Sequence, residues 1–197
     1  MNHDRYDDDH IAKVLGSVEN VALVGASASM NRPSYFVMKY LGGKGYKLKP
    51  VNPGLAGQAI LGHAVYATLS DVPAPVDMVD IFRNSEAALE ITREAIANKD
   101  RFGLKVIWMQ LSVRNDQAAT EAEAAGLTVV MNRCPKIEYG RLSGEIGWAG
   151  VNPGVISSRR PRLGAGLQNQ VLGPRKWGMS ATPVFSSDAG VGIIRSS

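Results

Sequence analysis

The sequence has few of the residues that most enzymes use for chemistry. It contains one cysteine, Cys134, which excludes a disulfide within the chain and fits a reducing compartment. Two of its three histidines, His3 and His10, lie in an acidic N-terminal arm. The sequence shows no Ser–His–Asp set, no paired carboxylates and no cluster with metal-ligand spacing. It therefore predicts neither a catalytic centre nor a metal site.

Long hydrophobic runs are also absent. No apolar stretch is long enough to span a membrane. Residues 1–9 lack the basic and apolar regions of a signal peptide. We therefore expect a cytoplasmic protein without a membrane partner. The 197 residues, 45% hydrophobic and 20% charged, suit one globular domain with or without a tail.

Positive charge is concentrated towards the end of the chain. Residues 1–140 contain 15 Lys or Arg and 16 Asp or Glu, whereas residues 141–197 contain 7 and 2. Gly, Ser, Pro and Arg dominate this second segment, which has no hydrophobic periodicity. We expect a domain over residues 1–140 and an irregular or partly disordered tail over residues 141–197. The tail could serve a homodimer or a protein partner. No nucleic-acid-binding motif accompanies its charge, so nucleic-acid binding is not expected.

Short apolar runs alternate with helical patterns across the first domain. Proline at position 33 and asparagine at position 84 mark two helix starts, and Asn115 or Asp116 marks a third. This alternation predicts an α/β fold, a Rossmann-like, doubly wound and mainly parallel sheet of about five strands. The predicted strands are residues 21–24, 46–51, 78–82, 106–109 and 128–131, with a short extra strand within 60–66.

The turn after the first predicted strand is rich in small residues. Ligands of doubly wound sheets bind at the carboxyl ends of the strands, where a helix start offers free N–H groups. Gly25, Ala26 and Ser27 are small enough to let a phosphate approach the backbone. Arg32, just before the helix, adds a charged group that suits phosphate. The alternative is a tight turn with no ligand.

The residues around this turn fit a dinucleotide poorly. The dinucleotide motif needs two further glycines, where this chain has Ser27 and Met30. It also needs an acidic residue at the end of the second strand, and residues 51–53 contain none. Lys47 and Lys49 on that strand suit the additional phosphate of NADP or CoA, or alternatively form a solvated strand face.

Other strand ends bring polar groups to the same edge of the sheet. Phe82 is a candidate wall for an adenine or pantetheine group, and Arg83 a candidate phosphate contact. Gln110 ends the next strand. Cys134, after the last strand, is either a small buried residue or a reactive thiol. This edge gathers hydrogen-bond donors and almost no bases, which favours binding over catalysis.

Six stretches, in order across residues 11–140, resemble the small CoA-binding protein family. Members of this family are stand-alone relatives of the nucleotide-binding domain of the succinyl-CoA synthetase alpha subunit. The stretches are VALVGAS at 21–27, NRPSY at 31–35, PVNP at 50–53, VDIFR at 79–83, WMQL at 108–111 and NRCPKI at 132–137.

The resemblance implies a Rossmann-like domain that binds CoA or acyl-CoA, with its phosphates at the first turn. The synthetase subunit has a second domain with a phosphorylated histidine, and this chain has no counterpart, so ligase activity is not implied. We expect a non-catalytic sensor or carrier. The alternatives are an NAD(P)-type nucleotide-binding regulator and an acyl-CoA-linked enzyme component that uses Cys134. The expected CoA-binding residues are Gly25, Ala26, Ser27, Arg32, Ser34, Val51, Asn52, Pro53, Phe82, Arg83 and Gln110.

Overall fold

Helices and strands alternate along residues 2–144, which are the residues that the computed structural model describes. The helices are α1 (Asp8–Ser17), α2 (Pro33–Gly43), α3 (Ser85–Ala97), α4 (Lys99–Phe102), α5 (Asp116–Ala124) and α6 (Pro135–Leu142). The strands are β1 (Asn20–Val24), β2 (Lys47–Val51), β3 (Ala59–Ile60), β4 (His63–Ala64), β5 (Met78–Ile81), β6 (Val106–Met109) and β7 (Thr128–Val130).

Five of the strands form one parallel sheet in the order β2-β1-β5-β6-β7. The chain runs from β1 outward to β2 and then returns past β1 to β5. The winding therefore reverses between β1 and β5, and such a reversal opens a crevice at the carboxyl ends of those strands. The short strands β3 and β4 pair antiparallel over residues 59–64. A short extra strand was predicted within residues 60–66. The predicted Rossmann-like α/β sheet of about five strands is confirmed.

The central strands are almost wholly buried and mainly apolar because helices cover both faces of the sheet. All four residues of β5 and of β6 are buried, as are the first four of β1. One apolar cluster joins the sheet to α3 and α5. The other joins it to α1 and α2, with partly buried residues of α6. This covering confirms that the sheet is doubly wound.

Two predicted helix starts are capped by asparagine. The Asn84 side chain accepts a hydrogen bond from the Ala87 amide at 3.1 Å, and the Asn115 side chain accepts one from Ala118 at 2.8 Å. Each bond satisfies a backbone N–H that the first helical turn would otherwise leave unpaired. Asn115, rather than Asp116, is the capping residue.

The C-terminal end of the fold differs from the sequence expectation. The patterns do not predict α6, and a domain end at residue 140 cuts this helix two residues before its end at Leu142. Pro135 occupies its first turn, and Ile137, Tyr139 and Leu142 pack against the core. The helix is short and also contains charged residues, so its apolar stripe is too brief to recognise. The rest of the predicted tail, residues 145–197, lies outside the described residues. None of the described helices combines the length and apolar character needed to cross a bilayer.

Candidate functional site

The loop after β1 is held against the end of β5. Gly25 has a φ of 90°, which side chains disfavour, and a Cβ atom there would lie 2.9 Å from the Phe82 carbonyl oxygen and 3.1 Å from Arg83 Cδ. Glycine is therefore required by the close approach of two strand ends. This reason replaces the expected one, access of a phosphate to the Gly25 backbone.

The same loop is also bonded to the end of β2. The amides of Gly25 and Ala26 both donate to the Val51 carbonyl oxygen, at 3.0 and 3.2 Å. The side-chain amide of Asn52 donates to the Ala26 carbonyl at 2.7 Å and accepts from Gly54 at 2.9 Å. The predicted residues Gly25, Ala26, Val51 and Asn52 therefore come together. Their polar groups are engaged with one another, however, and the N–H groups of Gly25 and Ala26 do not remain for a phosphate.

The backbone N–H groups that remain available to an anion belong to the two residues that follow Ala26 in the loop. Within residues 2–144, the amides of Ser27 and Ala28 have no hydrogen-bond partner. Arg32 is exposed, and α2 has neither a capping side-chain bond nor an acidic residue in its first turn. Unpaired amides and the positive end of the helix dipole attract anions. Ser27 and Arg32 therefore lie at this anion-attracting position, and their part in binding a ligand stays a prediction.

The other predicted residues near β2 and α2 are less well placed. Ser34 is 3% exposed on the buried face of α2, which leaves little surface for a ligand. Pro53 is exposed in a short turn after β2. Lys47 pairs with Glu19 at 2.9 Å at the amino end of β2, and Lys49 donates to two backbone carbonyl oxygens at 2.7 and 2.6 Å. Both lysines are therefore engaged in contacts within the protein.

A cavity of about 410 Å³ opens between the ends of β5 and β6 and the starts of α2 and α6. This volume falls within the usual range for small-molecule sites. Arg83 joins it to the loop, because its side chain lies against Gly25. The lining residues are Pro33, Phe36, Val37, Phe82, Arg83, Gln110, Leu111, Val113, Cys134, Lys136 and Ile137.

The lining of this cavity is mainly apolar and positively charged. Within residues 2–144, the lining contains two basic side chains, Arg83 and Lys136, and no acidic one. The Lys136 ammonium lies 5.8 Å from the ring centroid of Phe36. The cavity therefore suits a long neutral group attached to an anion. Three predicted residues, Phe82, Arg83 and Gln110, line it.

An aspartate lies beneath the cavity in the centre of the sheet. Asp80, in β5, is fully buried, and its two carboxylate oxygens accept from Gln110 Nε2 at 2.9 and 3.0 Å. Burial raises the pKa of Asp80 to about 8, although the hydrogen bond from Gln110 opposes this rise. Gln110 is among the residues predicted for the site, whereas Asp80 is not. The available signal was an acidic residue inside an otherwise apolar strand.

Cys134 lies on the cavity wall in an environment that does not activate it. The residue is 8% exposed. Burial raises the pKa of the thiol, and the nearby Asp80 carboxylate raises it further. A thiol attacks as its thiolate, so a raised pKa lowers its reactivity.

Most residues of the apolar wall are not among those predicted for the site. Phe36 lies on the exposed side of α2, Leu111 follows β6, and Ile137 belongs to the unpredicted α6. The exposure of Phe36 and Leu111, 49% and 50%, accords with a place at an open cavity. A search of residues 2–144 finds no group of three or more His, Cys, Asp or Glu that could hold a metal ion.

The family of the chain follows from a match that spans the loop and every lining residue of the cavity. A family model described as the CoA binding domain matches residues 19–140. The chain belongs to the CoA-binding domain family. The match begins just before β1 and ends within α6. The matched residues therefore include the whole five-stranded sheet and all the lining residues of the cavity.

Three individual proteins are similar to about two thirds of the chain. The uncharacterized protein YneT of Bacillus subtilis (strain 168) is 30% identical over 129 residues, which are 66% of this chain and 91% of that protein. A hypothetical protein from Pyrococcus horikoshii OT3 is 37% identical with a TM-score of 0.64, covering 71% of this chain and 94% of that one. The cell-free ID.343 protein from Thermus thermophilus is 30% identical with a TM-score of 0.64, covering 69% and 98%. The resemblance to small CoA-binding proteins is confirmed.

Proposed function

We propose that the protein binds CoA or an acyl-CoA and catalyses no reaction on it. The observation that carries this proposal is the contact of Arg83 with both Gly25 and the cavity. Arg83 thereby joins an anion-attracting loop to a mainly apolar cavity. CoA has the matching halves, an anionic nucleotide and a long, uncharged pantetheine arm.

The proposed pose follows from the groups that remain available. The phosphates lie against the Ser27 and Ala28 amides, with Arg32 and Arg83 as charged partners. The adenosine lies near residues 51–53, where Asn52 acts by holding the loop. The pantetheine arm enters the cavity past Phe82.

The surroundings of the cavity support binding without catalysis. The thiol of Cys134 is held in its protonated form by burial. We place the protein in the cytoplasm as a sensor or carrier of CoA, in accord with its single cysteine. An NAD(P)-binding regulator is less well supported, because residues 51–53 contain no acidic residue for a ribose and both nearby lysines are engaged.

Two arginine variants test the proposed pose by calorimetry with CoA. Arg32→Ala and Arg83→Ala should each weaken binding by about 1.5–3 kcal/mol, the range for a hydrogen bond to a charged group. Arg93→Ala is the matched control, because it removes the same charge from a residue that bonds Glu90 and Glu121 on α3 and α5. Equal losses in all three variants, or none, would contradict the pose.

A further inference from the structure

The side chain of Gln110 has one polar end turned inward and one left for the cavity. Its Nε2 atom lies within 2.9 and 3.0 Å of the two oxygens of Asp80. Its Oε1 atom has no hydrogen-bond partner within residues 2–144, and it is not one of the fully enclosed polar atoms. Since Gln110 lines the cavity, Oε1 is the end that a bound molecule can reach.

Asp80 has apolar neighbours on both adjacent strands. Leu23 on β1 and Trp108 on β6 flank it in register. Gln110 is the one partner of its carboxyl group within residues 2–144. An ionised carboxylate in such a place depends on its single donor, and a protonated carboxyl would itself have a hydrogen to donate.

Few ionisable groups face Asp80 from the helices above it. Asp80 lies on the same side of β5 as Met78, which packs with α1, α2 and α6. Among the described residues, the fully buried residues of α1 and α2 are apolar apart from Ser34. The partly buried His10 of α1 has an enclosed Nε2 atom with no hydrogen-bond partner in residues 2–144, and its ring stacks on Tyr6. The buried titratable groups at this end of the fold are Cys134, just before α6, and Glu138 within it. Glu138 is paired with Arg141 at 2.8 Å and with Arg133 at 3.7 Å. Arg83 and Lys136 line the cavity, and Tyr6, Tyr35, Tyr40, Tyr46 and Tyr139 pack around this side of the sheet.

We propose that Asp80 is a positioning residue that sets, through its proton, which end of the Gln110 carboxamide meets the ligand. With Asp80 ionised, both carboxylate oxygens accept from Nε2, and Oε1 faces the cavity as an acceptor. With Asp80 protonated, its O–H donates to Oε1, and a side-chain N–H of Gln110 becomes the group offered to the ligand.

The two states select different ligand groups. An acceptor at Gln110 suits an amide N–H or a hydroxyl of a pantetheine arm, whereas a donor suits an amide or thioester carbonyl. The raised pKa of Asp80 accords with both states occurring near neutral pH. The assignment of a pantetheine arm rests on the proposed binding of CoA, but the coupling between the two side chains does not.

Nuclear magnetic resonance of the full-length protein tests the coupling without any ligand. The side-chain amide signals of Gln110 should move through one titration step between about pH 6 and about pH 9. Cys134→Ser should keep that step, which excludes the thiol as its source, and Asp80→Asn should abolish it. Signals that do not titrate, or that titrate equally in Asp80→Asn, would overturn the inference.

A second variant covers the case in which Asp80→Asn does not fold. Gln110→Met removes the donor to Asp80 and keeps the length of the side chain. The midpoint of the Asp80 carboxyl carbon signal should then move to higher pH, because the hydrogen bond from Gln110 lowers this pKa. An unchanged midpoint would overturn the inference.

CoA calorimetry at the two ends of this pH range separates the inference from the proposed function. The ratio of the two dissociation constants should differ at least about threefold between the wild type and Asp80→Asn. Comparing the variants with the same ligand cancels the titration of CoA itself. Identical ratios would overturn the ligand role of Asp80 and leave CoA binding intact. A wild type that titrates at Gln110 but does not bind CoA would overturn the proposed function and leave the coupling intact.

Discussion

Asp77 and Asp80 lie three residues apart, and their surroundings have opposite effects on their charge. Asp77, just before β5, accepts from the amides of Glu19 and Asn20 at 3.1 and 2.8 Å and from Lys105 Nζ at 2.8 Å. Burial opposes its ionisation, but these donors outweigh burial and lower its pKa to about 2. Asp80 has one donor and a raised pKa. Asp77 thus joins the amino ends of β1 and β5, while Asp80 lies next to the site.

The lowered pKa of Asp77 predicts a loss of stability in acid. A carboxylate whose pKa is lower in the folded protein stabilises it above the unfolded pKa, and this contribution disappears as the pH falls towards 2. Asp77→Asn should lower the free energy of unfolding by about 1–3 kcal/mol at neutral pH. The deficit should shrink as the pH approaches about 2. Urea denaturation across this pH range measures it.

Asp100→Asn is the control for this experiment, because Asp100 is an exposed residue on α4. It should change the free energy of unfolding by less than about 0.5 kcal/mol. A deficit in Asp77→Asn that stays constant down to the lowest pH would show that the loss comes from packing and not from the charge.

The hydrogen bonds of the first loop mark the limit of sequence reasoning about single residues. The residue types identified Gly25, Ser27 and Arg32, because small and basic residues after a first strand follow a known pattern. The bonds from Gly25 and Ala26 to Val51 depend on how two strand ends meet. No spacing within the loop encodes that meeting.

At the scale of elements, the site is built from the ends of several strands. The side chain of Asn52 links the segments that follow two of them, β1 and β2. It connects the loop after β1 to the turn after β2 through bonds to Ala26 and Gly54. No other side chain within residues 2–144 bonds the Ala26 carbonyl oxygen. The position of the Ser27 and Ala28 amides therefore depends on this residue.

Asn52→Ala should reduce both stability and CoA affinity. The loss of two hydrogen bonds should lower the free energy of unfolding by about 1–2 kcal/mol. The loosened loop should weaken CoA binding at least several-fold, measured by calorimetry. Asn98→Ala removes comparable side-chain bonds at the end of α3 and should lower stability alone. Full CoA affinity in a folded Asn52→Ala protein would contradict the linking role of Asn52.

Most elements could be predicted because their patterns are local. Residues 21–24 of β1 and the whole of β6 are apolar runs that end at Gly25 and Gln110, and α3 and α5 begin at capping asparagines. The helix α6 could not be found in this way, since it is short and contains Glu138 and Arg141. Because α6 was not predicted, the wall that it contributes to the cavity was not predicted either.

At the scale of the whole molecule, the strand order and the charge distribution separate two parts of the chain. The order β2-β1-β5-β6-β7 places the winding reversal beside Gly25 and Arg83. The family match ends at residue 140 and α6 ends at Leu142, whereas most of the excess positive charge lies beyond. The proposed CoA site involves none of the residues after Gly144.

A chain that ends after Gly144 should therefore retain the fold and the CoA site. Its melting temperature should stay within a few degrees of that of the full chain, and its dissociation constant for CoA should change less than about threefold. Circular dichroism and calorimetry measure these quantities. A chain cut after residue 140 should be less stable, because the cut removes Leu142 from the core. Loss of CoA binding in the longer form would show that residues 145–197 contribute to the site.

The central claim is that the loop after β1 and the adjoining cavity bind CoA in preference to a nicotinamide dinucleotide. Calorimetry of the full-length wild type with CoA, and separately with NAD and NADH, tests it most directly. We expect CoA to bind with a micromolar or lower dissociation constant, which corresponds to a binding free energy of about −8 kcal/mol or one more negative. Both dinucleotides should bind much more weakly. Tight binding of NAD or NADH without measurable binding of CoA would contradict the claim.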